Sequence, residues 1–133
     1  MRHAWIRAAL LAGVVYVLVG RLFALPADHV HAWRLAAWIV CGAAYAAHIG
    51  YEHFSLRHSP RALAWHAAVG VVIGAFALAA AGMMHAVQAG PATRTLWLLA
   101  LVLWPAITAV PAFLVALAVA IVLARWTRSG PGR

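Results

Sequence analysis

The stretch His31-Ala-Trp-Arg-Leu-Ala-Ala-Trp-Ile-Val-Cys-Gly-Ala-Ala-Tyr-Ala-Ala-His-Ile-Gly-Tyr-Glu52 decides the architecture. Steps of three and four residues from His31 collect Arg34, Trp38, Cys41, Tyr45, His48 and Glu52, so one helical face carries nearly every polar or polarisable side chain of the segment. The positions between them, Ala36, Ala37, Ile39, Val40, Ala43, Ala44 and Ala47, are small or aliphatic. A segment of this length and composition reads as a membrane span, which needs about 20 residues. Hydrocarbon gives a polar stripe no partners, so the stripe must face protein or water, and this helix is expected at the centre of a bundle.

The flanking sequence supplies the rest of that bundle. Of the 133 residues, 67% are apolar and 9% are charged, against about 25% charged in a soluble domain. Four apolar segments, near 4–25, 31–52, 61–88 and 95–125, are separated by short connectors, with no room for a second domain. The predicted fold is all-α: a single integral-membrane four-helix bundle. Pro26 is placed to stop the first helix and Asp28 to cap the second. Ser59 and Pro60 open the third, Gly90 and Pro91 close it, and Thr93 or Thr95 caps the fourth. Pro105 and Pro111 lie inside the fourth segment, where each removes a backbone donor and predicts a kink. Thr108 between them is placed to bond a freed carbonyl, and a helix broken there to line a path, as in transporters, is the sharper alternative.

The basic residues number ten, all Arg, and the acids two, Asp28 and Glu52. Chemistry that gathers several carboxylates on one chain is thereby excluded. The Arg residues sit at the ends of apolar segments, which is the pattern of membrane topology and not of a nucleic-acid surface. Placing both termini in the cytoplasm puts Arg2, Arg7, Arg57, Arg61, Arg125, Arg128 and Arg133 inside and Arg21, Arg34 and Arg94 outside. Trp5, Trp65 and Trp126 then fall at the inner interface, Trp33 and Trp97 at the outer one. A cleaved signal peptide over the first segment is the competing reading, which Arg21 interrupts. The Arg-only, Ala-rich composition suits a GC-rich bacterial genome, hence a bacterial inner membrane. The lone Cys41 forbids an intrachain disulfide.

On the third segment His66, Gly70, Gly74, Ala77, Ala81, His85 and Gln88 share a face, and Gly70 and Gly74 form a GxxxG motif for close packing, expected against the second helix. Seven of the eight His residues divide by depth: His48, His53, His58 and His66 with Glu52 inside, His29, His31 and His85 with Asp28 outside. Three functional readings follow. His48 and His66, at equal depth on antiparallel helices, are candidate axial ligands of a haem b, with His31 and His85 a weaker second pair; a transition-metal site is the variant of this reading. Glu52, His48 and Tyr45 on one face form a candidate proton or ion relay for a small oligomeric transporter. The reading carried forward as the main expectation is a non-enzymatic accessory or partner-binding subunit, in contact with the lipid bilayer and assembled as a homo-oligomer or within a larger membrane complex. His58 and Glu52 themselves are expected in hydrated, headgroup-level positions at a helix end.

Overall fold

The computed structural model of the chain describes residues 3–26, 28–86 and 91–128, except for the side chains of 85, 86, 91–94 and 128. Four helices account for nearly all of it: α1 (Ala4–Leu22), α2 (Val30–Gly50), α3 (Pro60–Ala86) and α4 (Pro91–Arg128), with a π-helical turn over Tyr51–Ser55 extending α2. No strand occurs among the described residues, and the fold is all-α. Ala4–Leu22, Pro60–Met84 and Thr95–Thr127 are long and apolar enough to cross a membrane, with mean hydropathy of 1.7, 2.2 and 2.7. α2 has the length, 21 residues, but its His, Arg and Tyr residues dilute its hydropathy. The outward surfaces carry Leu, Val, Ile and Trp; only 11% of the α4 span is buried, as suits a helix bathed in lipid.

The centre of the bundle is α3, not α2 as the stripe had suggested. α3 packs against α1 on one side and α4 on the other, while α2 lies beside α1 and reaches α3 only near the connector. Close approach goes to the helices with small faces on both sides of a seam. α3 buries Leu63, Ala64, Ala67, Ala68, Ala75 and Ala79, whereas α2 buries only His48 and Ile49. The outer half of the α2 stripe, His31, Arg34 and Trp38, is exposed, and shelter begins only from Cys41 inward.

The GxxxG face meets mainly α1, and α2 touches it at Gly70 through the His48 ring. A Cβ on Gly74 would lie 2.8 Å from Tyr16 Cβ, and one on Gly70 3.3 Å from the Ala9 carbonyl oxygen. Gly13 of α1 answers from the other side, where a Cβ would stand 2.7 Å from Ile73 Cγ2. Beside this seam, Ile49, Leu63, Ala64, Ala67, Ala116 and Ala120 form the buried cluster that joins the inner end of α2 to α3 and α4.

The helix ends are partly as predicted. Ser59 caps α3, its Oγ accepting from Ala62 N–H at 3.4 Å, and Pro60 takes the first helical position. At α2 the cap residue is His29, left-handed at φ 56° and without a side-chain cap bond, so Asp28 does not fill that role. Pro91 opens α4, where its missing donor costs nothing, so the helix starts ahead of Thr93 and Thr95; the end of α3 expected at Gly90 and Pro91 involves residues outside the described ones, Gly90 among them. α4 runs unbroken through Pro105 and Pro111. These prolines free the carbonyls four residues earlier, those of Leu101 and Ile107. Thr108 Oγ1 donates instead to the Trp104 and Pro105 carbonyls, at 2.9 and 3.1 Å, so it does not repair the freed ones.

Candidate metal centre

The site grows out of the way α2 ends. Beyond Gly50 the helix widens by one residue: Leu56 N–H donates to the Tyr51 carbonyl at 3.2 Å, the five-residue spacing of a π turn. Arg57 then adopts a left-handed backbone at φ 52° and reverses the chain. His58 N–H consequently donates to the Glu52 carbonyl at 3.3 Å, and the connector folds back over the Glu52 side chain. Ser59 and Pro60 restart the chain as α3 at once, which brings His66 down onto the same carboxylate.

Glu52 is fully buried, at 0% exposure, and its neighbours are imidazoles. His58 Nδ1 and His66 Nδ1 both stand at hydrogen-bonding distance from Oε2, the latter at 3.0 Å. His48, one turn earlier on α2, holds Nε2 3.7 Å from Oε1, too far for a hydrogen bond. Both nitrogens of the buried His48 ring and Glu52 Oε1 are left without hydrogen-bond partners. The indole of Trp5, from α1, stacks on the His66 ring at 4.3 Å between centroids with the planes 10° apart, and the His58 ring meets His66 edge-on at 4.8 Å. His58 is the most exposed of the histidines around Glu52, so the site opens to the outside along the connector.

Donor atoms of Glu52, His58 and His66 all lie within 4.8 Å of one another, a spacing that admits a single cation. A carboxylate removed from water requires a compensating positive charge, which either an imidazolium or a bound metal ion would supply.

Several sequence expectations meet here. His48 and His66 do share a depth, and the four-residue step from His48 to Glu52 does put them on one face. Glu52 itself is not at a hydrated helix end; the π turn and the returning connector enclose it. His58, read from the sequence as a headgroup-level residue, is a member of the site. Trp5, read as an interfacial anchor, covers His66. No helical period links His58 to Glu52; the usable signal was the short connector, closed by Ser59 and Pro60, which leaves little chain to wander. Tyr45 stands apart from the cluster, its hydroxyl donating to the Ala112 carbonyl of α4. His31 is exposed on the first turn of α2, and the side chain of His85 lies outside the described residues.

No protein family, no curated protein and no solved structure matches the chain. The reading of its function therefore rests on this site.

Proposed function

We propose that the chain is a multi-pass protein of the bacterial plasma membrane that holds a first-row transition-metal ion at Glu52, His58 and His66, and that it serves as a non-enzymatic subunit of a homo-oligomer or a larger membrane complex. The observation that carries this reading is a completely buried carboxylate ringed by imidazole nitrogens at ligand spacing. A donor set of imidazoles with a single carboxylate suits zinc, iron, cobalt, nickel or manganese. It is a poor match for calcium or magnesium, which demand shells of oxygen.

A bare ion is favoured over a haem. The Glu52 carboxylate stands against both His48 and His66, in the space a macrocycle held by that pair would fill, and the face of His66 is taken by Trp5. A relay through Glu52, His48 and Tyr45 has less support, because the Tyr45 hydroxyl is committed to α4.

The test is metal analysis of the detergent-purified protein after expression in medium supplemented with zinc, iron, cobalt, nickel and manganese. A stoichiometric ion is expected in the wild type, with Glu52→Gln and His66→Ala each weakening binding by more than the roughly 100-fold typical of lost outer-shell support. Protein that is folded but carries no stoichiometric metal overturns the reading.

A further inference from the structure

His48 is buried and lies beside the centre, yet the triad leaves it without a task. Neither ring nitrogen has a hydrogen-bond partner, and Glu52 Oε1, 3.7 Å from Nε2, is itself an orphan. Leaving buried polar atoms unpaired is costly, so an arrangement that sets two such atoms face to face calls for a guest between them.

We propose that His48 Nε2 is the fourth ligand, so that the metal is held by three imidazoles and the Glu52 carboxylate in a coordination shell closed to water. This rests on the metal reading given above and specifies the chemistry of that same site. The carboxylate is divided among its neighbours: His58 and His66 take Oε2, and His48 faces Oε1. In a tetrahedral zinc-type shell with metal–nitrogen bonds of about 2.0–2.1 Å, adjacent donor atoms stand about 3.3 Å apart. The 3.7 Å gap to Oε1 is close to that edge, whereas it is too long for the hydrogen bond that would otherwise satisfy both groups; the mutual 4.8 Å spacing belongs to Glu52, His58 and His66, so loading draws the His48 ring toward the other two imidazoles.

The ring is also held beside the carboxylate. His48 and Glu52 are four residues apart on one helix, and Ile49 anchors that turn in the buried cluster. On the α3 side His48 Cε1 packs where Gly70 has no side chain, 3.4 Å from the position a Cβ would occupy. With His48 included the donors come from α2, its π turn, the connector and α3, so the ion ties together segments otherwise joined mainly by small-residue contacts. Catalytic zinc sites keep a position open for water, and a shell of four protein ligands does not. With a tetrahedral ion such as zinc the centre therefore holds it for structure, storage or transfer, and does not activate water.

The experiment uses the full-length protein in detergent, loaded with cobalt(II) as the probe. Its visible absorption should be the intense spectrum of a tetrahedral site, and X-ray absorption on the same sample should count three imidazoles. His48→Ala should shift that spectrum as water or buffer takes the vacated position, and added imidazole should restore it. Tyr16→Phe, which alters another buried unpaired group away from the carboxylate, should leave the spectrum unchanged. Bound cobalt with two imidazoles, or a His48→Ala spectrum identical to that of the wild type, overturns His48 as a ligand while leaving the triad intact. A folded wild type that takes up no cobalt, zinc or other ion of this class overturns the triad, and the fourth ligand with it. Should His48→Ala fail to fold, the imidazole count on the wild type still decides.

Discussion

The indole of Trp5 lies flat against His66, so one face of that ligand is fixed by a residue that donates nothing to the metal. Aromatic stacking of this kind is worth about 0.5–1.5 kcal/mol beyond its buried area. Trp5→Leu should therefore weaken metal binding by about 2- to 12-fold in a chelator competition titration, without changing the number of ions bound. Trp126→Leu, at a residue 76% exposed, should leave the affinity unchanged, which separates stacking on His66 from a general effect of losing an interfacial Trp. Glu52 gives a different signature. Its buried charge is a liability in the metal-free protein and an asset in the loaded one. Glu52→Gln should accordingly leave the metal-free protein at least as resistant to heat as the wild type. It should also abolish the gain that metal confers, about 2.7 kcal/mol at a free concentration 100 times the dissociation constant. Thermal denaturation with and without metal checks both halves, and a metal-induced rise that survives Glu52→Gln removes the carboxylate from the site.

The glycines of the helices fall into two classes by what surrounds them. At Gly74 an added Cβ would collide with Tyr16 across the α1–α3 seam, while at Gly42 and Gly50 of α2 it would meet nothing within 4 Å. Gly74→Ala should cost about 1–3 kcal/mol through overpacking. Gly42→Ala and Gly50→Ala should instead stabilise by up to about 1 kcal/mol, because alanine is the better helix former. Denaturation of the purified variants gives the sign of each; a destabilised Gly42→Ala would mean that α2 packs there against something else. The same elements show what the sequence made legible. The His48–Glu52 pair follows from the helical period, and the Ser59-Pro60 start of α3 from capping chemistry. The partner of the GxxxG face did not follow, because Ala and Gly recur on every helix and any pair of small faces satisfies the motif. The site was half legible for a related reason. His58 reaches Glu52 only through the π turn and a left-handed Arg57, and arginine, unlike glycine or asparagine, does not announce that conformation. A left-handed backbone is costly for arginine and not for glycine, so Arg57→Gly should stabilise the connector by about 1 kcal/mol in thermal denaturation and preserve metal binding.

At the scale of the whole molecule, α2 decides the topology. Its 21 residues make a helix of about 31 Å, which matches a hydrocarbon core of about 30 Å. Its polar groups are arranged to tolerate the passage: His31 and Arg34 lie within a turn of its outer end, where long side chains snorkel to the interface, and His48 and Glu52 at the inner end are enclosed by protein. If α2 crosses, the chain makes four passes and both termini lie on the same side; if α2 only rests in the interface, the three remaining spans put the termini on opposite sides. By the positive-inside rule, the Arg distribution, seven residues against three in the sequence, predicts the cytoplasm for the shared side. The same rule predicts the connector of Arg57 and Arg61, and with it the exposed edge of His58, at the cytoplasmic surface. Reporter fusions at each terminus, one active only in the cytoplasm and one only in the periplasm, should report cytoplasm at both ends. A periplasmic fusion within the α2–α3 connector should be inactive. Termini on opposite sides would remove α2 from the membrane, and both termini in the periplasm would invert the bundle and turn the metal centre toward the outside.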